Sequence, residues 1–365
     1  MEMYNSKTKY HCGIDLHKSS AHICVMDKEG KIMLHKNIRD NNFVYMKKVL
    51  SPYIDDLTIA CESTYNWYPL ADFCRSEHIE FTLGHALYMK SIHGGKAKND
   101  KIDSKKITDL LRTNLLPHAY ACPAEYRSHR DLLRRRIKLV QSKSGISVYM
   151  NIFEQQNELK ESTLYMRSKP DKLESLVEHQ DFSGIGGIAM ERNYQLNTNL
   201  LMAYTKELIA VDKDLKELTL NSAYNEEFEI VKSMPGVGDT LGMVIIYETH
   251  DIKRFKSPGK YSSYCRVIKC KKESAGKSYG YSGAKIGNPF LKWAYSQAAV
   301  LSKRNPLMKA FSNDLIRQHG ERKARAIYTH KICRSIYFML QRKQKFDPID
   351  FFGRQKYERL QRLNN

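Results

Sequence analysis

The sequence predicts an α/β domain followed by two mainly helical regions. Two observations carry that reading. Between Tyr10 and Thr113, short apolar runs at strand spacing alternate with amphipathic stretches. From residue 124 to 230, glycines are few outside Ser183-Gly184-Ile185-Gly186-Gly187, and apolar residues recur at helical spacing.

Each element follows from its residues. Tyr10 to Asp15 reads as a first strand and Ala21 to Met26 as a second. Asp27-Lys28-Glu29-Gly30 is a turn signal, and Lys31 to His35 returns as a third strand. Asn41 to Leu50 reads as a helix, Leu57 to Cys61 as a strand ending at Glu62, Tyr65 to Ser76 as a helix, and Phe81 to Leu83 as a strand. Asp103 to Thr113 is an amphipathic helix. A hairpin first and crossovers later is the order of a ribonuclease H-like (RuvC-like) fold, assigned to residues 1–122. Residues 123–230 read as long helices, with Leu132, Leu133, Ile137 and Val140 answered by Leu208, Val211, Leu215 and Leu218. They suggest a coiled-coil-like dimerisation hairpin with a loop near 168–188. The third region, 231–348, opens on Met234-Pro235-Gly236-Val237-Gly238 between apolar helical stretches. This is a helix-hairpin-helix-like turn whose backbone N–H groups can face phosphate. From Asn288 to Gln344 the chain is helical and basic, with Trp293, Tyr295, Tyr328, Tyr337 and Phe338 interleaved. Residues 349–365 form a basic tail.

Charge narrows the partners. The 365 residues carry a net charge of +20, concentrated in 301–365, where 16 basic side chains face 5 acidic ones. Such one-sided charge points to polyanions, most simply nucleic acid. Arg127, Arg130, Arg134, Arg135, Arg136 and Lys138 form a further cluster, equally readable as a solvated helix face or a nucleic-acid contact. The eight cysteines are scattered without a C-x-x-C pair, which argues against zinc and for a reducing, cytosolic compartment. No apolar run reaches membrane-spanning length, and the first residues lack an apolar signal region.

Four carboxylates stand out. Asp15 closes the first strand and Glu62 the fourth, while Asp100 and Asp103 stand three apart within Lys98-Asn99-Asp100-Lys101-Ile102-Asp103-Ser104-Lys105. Spacing of three puts the last two on one helix face, where like charges repel unless a cation lies between them. Each acid also has an ordinary role open to it: a turn aspartate at 15, a strand-end carboxylate at 62, a helix cap at 100 or 103. Together they fall where a ribonuclease H-like sheet converges. Four carboxylates there can hold two Mg²⁺ ions about 4 Å apart for phosphoryl transfer. Hard oxygen ligands favour Mg²⁺ or Mn²⁺ over Zn²⁺.

With Gly13-Ile14-Asp15 and Cys61-Glu62-Ser63-Thr64, that block resembles the amino-terminal domain of the DEDD-type insertion-sequence transposases, family one hundred and ten, which includes Piv-like DNA invertases and bridge-RNA-guided recombinases. Further on, Ser233 to Gly238, Arg254-Phe255-Lys256-Ser257, Tyr261-Ser262-Ser263-Tyr264, Lys272-Glu273-Ser274-Ala275-Gly276-Lys277 and Gly287-Asn288-Pro289-Phe290-Leu291 resemble successive blocks of the same family.

The resemblance implies a transposase or site-specific recombinase that cuts and rejoins double-stranded DNA at element ends and target. Asp15, Glu62, Asp100 and Asp103 would bind Mg²⁺ or Mn²⁺, and Ser274 would form a phosphoserine link to DNA. Lys271, Lys272 and Lys277 would neutralise phosphate, and the Gly236 and Gly238 turn and the arginine cluster would contact nucleic acid. Many relatives carry Gly directly after the serine, where this chain has Ala275, and small residues are usual in them where it has Cys265-Arg266. Ser278 and Ser282 lie close enough in sequence to be alternatives. The resemblance further implies a structured guide RNA, a homodimer assembling to a tetramer, and a cytoplasmic, nucleoid-associated setting in bacteria. The alternatives are an invertase without guide RNA, a Holliday-junction-type endonuclease in which the acids activate water, and a non-enzymatic nucleic-acid-binding protein.

Overall fold

The computed structural model describes residues 3–92, 99–184, 186–282 and 286–362. These divide into two compact units, with the boundary between Glu125 and Tyr126.

The first unit is built on a six-stranded mixed sheet. Its strands are β1 (Tyr10–Leu16), β2 (Ser20–Met26), β3 (Ile32–Arg39), β4 (Leu57–Glu62), β5 (Glu80–Gly84) and the short β6 (His118–Ala119), in spatial order β3-β2-β1-β4-β5-β6. The first three are antiparallel neighbours, whereas β1, β4 and β5 run parallel. This order is consistent with the ribonuclease H-like arrangement. The central strands β1 and β4 are apolar and buried on both faces, whereas β3 lies toward the edge and exposes Lys36 and Asn37. Helices α1 (Phe43–Leu50) and α2 (Trp67–Ser76) place Met46, Leu50, Leu70 and Cys74 against one face. Next come α3 (Ala86–Ile92) and α4 (Asp100–Arg112), and α4 packs across β1, β2 and β4 on the other face. It starts at Asp100, three residues before the expected Asp103, because Asn99 caps it by accepting from the Lys101 N–H.

Gly13 makes this docking. A Cβ there would stand 2.4 Å from the Thr108 nitrogen and 2.6 Å from the Ser104 carbonyl oxygen. The Gly13 N–H donates to Thr108 Oγ1 at 3.0 Å, and that hydroxyl faces the Cys24 carbonyl at 3.0 Å.

The second unit is mainly helical. Its two long helices, α5 (Ala124–Gln156) and α7 (Gly187–Leu220), run antiparallel, since Arg136 meets Asp212 while Tyr149 meets Asn193. The connection between them begins at 157, not near 168, and contains the short α6 (Pro170–Glu174). A buried network ties it down. Arg167, 1% exposed, donates to Glu154 at 2.7 Å, to Ser162 Oγ at 2.7 Å and to the Ser147 carbonyl at 2.6 Å, and Tyr194 donates to Glu154 at 2.9 Å. The long helices do not stand apart from the rest of this unit. Leu133, Ile137 and Leu215 share a core with α8 (Asn225–Lys232), α9 (Asp239–Thr249), α10 (Pro258–Tyr264) and the later helices α11 (Pro289–Leu301), α12 (Pro306–His319), α13 (Glu321–Arg342), α14 (Pro348–Phe352) and α15 (Arg354–Arg362). Between α10 and α11 lies a hairpin of β7 (Cys270–Ser274) and β8 (Lys277–Ser282).

Both contacts can be tested by unfolding. Gly13→Ala forces α4 off β1 and is expected to lower stability by about 1–3 kcal/mol in urea. Arg167→Met leaves Glu154 buried without its charge partner and is expected to cost about 3–5 kcal/mol in the same assay.

Candidate active site

Alternation along the strands decides which side chains meet. On β1, Cys12, Ile14 and Leu16 enter the core with α1 and α2, so Gly13 and Asp15 face α4. On β4, Leu57, Ile59 and Cys61 enter that same core, while Ala60 packs with Ile107, Leu110 and Leu111 of α4. Glu62 therefore shares the α4 face. Ile14 pairs with Cys61 in parallel register, so Asp15 and Glu62 stand on one rung at the ends of adjacent strands. The antiparallel register of β2 sets His22 opposite Asp15.

Helix α4 supplies the other acids. Asp100 and Asp103 lie in its first turn, where the partly positive helix end favours carboxylates. Capping, the ordinary role open to either, is filled by Asn99. His17 Nε2 stands between two carboxylates, 3.3 Å from Asp15 Oδ2 and 3.4 Å from Asp100 Oδ1. These three donors lie within 4.8 Å of one another. His22 Nδ1 is 3.6 Å from Asp100 Oδ2, and Asp103 pairs with Lys106 at 3.4 Å. Burial pushes the Asp15 carboxyl above the usual carboxylate range. His17 opposes that rise, and the charges of Asp100 and Asp103 add to it. The structure thus brings Asp15 and Asp100 together, sets Glu62 on the same rung and face, and leaves Asp103 a turn further along α4.

Two family models match this chain. A DEDD-type transposase model of the IS110 family covers residues 12–151, and the transposase IS116/IS110/IS902 family model covers residues 228–313. The chain belongs to the IS110 family of insertion-sequence transposases. Similar proteins include the transposase for insertion sequence element IS1111A of Coxiella burnetii, 22% identical over 92% of this chain and 90% of that protein. The transposase for insertion sequence element IS1533 of Leptospira borgpetersenii is 21% identical over 80% of this chain and 85% of its own length. An uncharacterized insertion element IS116 protein of Streptomyces clavuligerus is 24% identical over 113 residues, 30% of this chain and 28% of that protein.

A DEDD transposase domain calls for a divalent metal, and the donors here fit one. Asp15 and Asp100 offer hard oxygens whose mutual repulsion an ion would remove. His17 and His22 were missed by sequence reasoning. The signal was present in the short turn between β1 and β2, where the His17 N–H donates to the Ser20 carbonyl at 2.8 Å and fixes Asp15 opposite His22.

In this transposase Ser274 ends β7 in the second unit and is exposed. It pairs with Lys277 across a two-residue turn, Ala275-Gly276, with φ of +49° and +74°. Positive φ at both positions is a type I′ hairpin turn. Arg266, the other departure, also has a positive φ of +55°. Lys277, Ser278 and the hairpin tip are exposed; the side chains of Lys271, Lys272 and Ser282, and Lys98 of the acid block, fall outside the described residues. Gly236 has φ +86°, and the chain also meets another segment there, since an added Cβ would lie 2.3 Å from the Ser302 nitrogen; Gly238 has open space around it. The Pro235–Gly238 turn borders a cavity of about 480 Å³ together with Arg304 and Asn305.

The arginine cluster is largely occupied within the fold. Arg134 forks onto buried Glu248 at 2.6 and 2.7 Å, and Arg136 forks onto Asp212 at 2.8 Å twice. Arg127 is buried, and Arg130 is half-buried with an interaction of its own. Of the five arginines expected to touch nucleic acid, Arg135 alone is exposed.

The acid cluster yields a stability test. Asp15 is held above its ordinary range, so without metal its ionisation costs folding free energy at neutral pH, and that cost fades as pH falls through the folded-state value. Asp15→Asn is expected to raise the metal-free melting temperature at pH 7, with the gain vanishing in acid. Mn²⁺ at roughly a hundred times its Kd should stabilise the native sequence by about 2.7 kcal/mol and leave the variant unmoved.

Proposed function

We propose that this transposase cuts and rejoins DNA at element ends and target sites through a divided active centre. Asp15, Glu62, Asp100 and Asp103 would hold Mg²⁺ or Mn²⁺, which when bound supplies electrophilic activation of a phosphate. The observation that carries this reading is the single face shared by Asp15 and Glu62 on one rung beneath the start of α4, with Asp100 reaching Asp15 through His17.

Ser274 is the nucleophile in this reading. Its Oγ forms a bond to phosphorus, the bond from phosphorus to one sugar oxygen breaks, and the leaving oxygen takes a proton; rejoining reverses these steps. A serine hydroxyl is weak at its free pKa and needs activation. Its exposure at the end of a tight hairpin lets a phosphate approach, and Lys277 beside it can offset the developing charge. A structured guide RNA, a helix-hairpin-helix role for the 233–238 turn, and a dimer through the long helices that pairs into a tetramer complete the proposal. The net charge of +20 supports a polyanionic partner, and exposed Val148, Ile152, Leu196 and Ile209 on α5 and α7 support a coiled-coil-like interface.

Ser274→Ala should abolish denaturation-resistant protein–DNA adducts while DNA binding persists, and strand exchange by that variant would remove the serine from the mechanism. Asp103→Asn should reduce strand cleavage by about 10² or more while adding no change to folding; undiminished cleavage would remove the metal role. Sequencing RNA that co-purifies with the protein from its host separates a guided transposase from an invertase. Cleavage of four-way junctions by Ser274→Ala would instead favour the endonuclease reading.

A further inference from the structure

The second unit carries a concave basic groove that the site above does not use. It is a cavity of about 910 Å³ along α13 and the segment that leads into α14. No acidic residue occurs between His330 and Phe346, and Lys331, Arg334, Arg342 and Lys345 all line the groove. The cations converge. Lys331 Nζ lies 5.5 Å from the Phe311 ring centre and 5.1 Å from that of Phe351, and Lys356 Nζ approaches the same Phe311 ring at 4.3 Å. Arg334 and Arg342 cover Phe338 at 5.6 and 5.1 Å.

The nearby acids, of which Asp347 and Asp350 also line the groove, answer this charge only at Arg342. Asp347 caps α14 through the Ile349 N–H, Asp350 meets Arg342 at 3.4 Å in an exposed pair, and Asp314 is taken by Arg317 and Arg359. Among the described residues, Lys331 and Arg334 have no carboxylate partner. Burial, then the charges of Lys356 and Arg334, hold the Lys331 ammonium below its ordinary range. A merely solvated face would let such side chains spread apart; here half-buried Lys331 and Lys356 and exposed Arg334 and Arg342 are gathered around aromatic rings, an arrangement that a bound anion would relieve.

We infer that this groove seats the phosphate backbone of double-stranded DNA. The stripe from His330 to Arg342 spans about 18 Å of helix, the length of roughly five nucleotides of one strand. That is too long for a single phosphate. The aromatic faces are already covered by cations, so they are not offered to unpaired bases, and the groove reads backbone rather than stacked single strand. The inference rests on the reading that the chain acts on DNA, and it assigns a surface separate in sequence from both the acids and Ser274.

The test uses the full chain and a duplex of about 30 base pairs of arbitrary sequence, followed by fluorescence anisotropy over a salt series. The double variant Lys331→Gln/Arg334→Gln should bind about tenfold or more weaker, with the salt slope reduced by about 2. Lys331→Arg/Arg334→Lys should bind as the native chain does, and Lys172→Gln/Lys213→Gln, which removes the same charge elsewhere, should change binding little. Equal urea midpoints for all variants establish that folding is unaffected. If Lys331→Gln/Arg334→Gln binds the duplex as tightly as the native chain, the groove assignment is wrong while the recombinase reading stands. If the native chain binds no duplex DNA, both fail.

Discussion

The close approach of α4 to β1 at Gly13 is the constraint on which the first unit's chemistry depends. No side chain fits between the strand and the backbone of Ser104 and Thr108. Thr108 then fixes how the helix sits, since its hydroxyl meets the Gly13 N–H and faces the Cys24 carbonyl, groups of two adjacent strands. With that point pinned, the residues one and two turns toward the helix start have little freedom. Asp100 is carried over the end of β1, where Asp15 lies two residues beyond Gly13 on the same face. One missing Cβ and one hydroxyl thus set the distance between acids that are far apart in sequence.

That geometry works against stability locally. Carboxylates are gathered at one end of the central strands, and Asp15 is both half-buried and flanked by like charge, so it resists ionising. Two features of the fold offset the cost. The start of α4 presents its partly positive end to Asp100 and Asp103. His17, on the turn after β1, sets an imidazole between Asp15 and Asp100. The cluster is therefore held together by weaker substitutes for a cation, and a bound divalent ion would add the rest of the stabilisation.

Most of this arrangement is legible in the chain. The order of β1 to β5 along the chain and the placing of Asp15 and Glu62 at strand ends follow from short apolar runs, a signal that survives without tertiary information, whereas nothing in the sequence announces the two-residue β6. The features that sequence reasoning loses are those fixed at long range. Helix α4 starts earlier than its periodicity indicates because its first turn buries no apolar side chain; the buried face begins at Ser104 and Ile107. The connection after α5 also starts earlier than expected, because the segment from 157 is held by Arg167 reaching back to Glu154, an ion pair that no periodicity announces. His22 enters the site only through hairpin register.

The arginines of α5 show why charge alone is a poor guide to function in the second unit. Arg134 and Arg136 belong to a run that reads as a polyanion contact, yet each points inward to a carboxylate that would be costly to bury alone. Glu248 is 4% exposed and also accepts from Asn288 Nδ2 at 2.7 Å, so Arg134 joins α5 to α9 and to the start of α11. Asp212 does the same for Arg136 on α7. On α13 the chain supplies cations of the same kind over a stretch without acids, and no carboxylate among the described residues claims Lys331 or Arg334. Whether a basic residue fastens the fold or faces a ligand is decided by the carboxylates on the neighbouring elements, and those partners lie 76 and 114 residues away from Arg136 and Arg134.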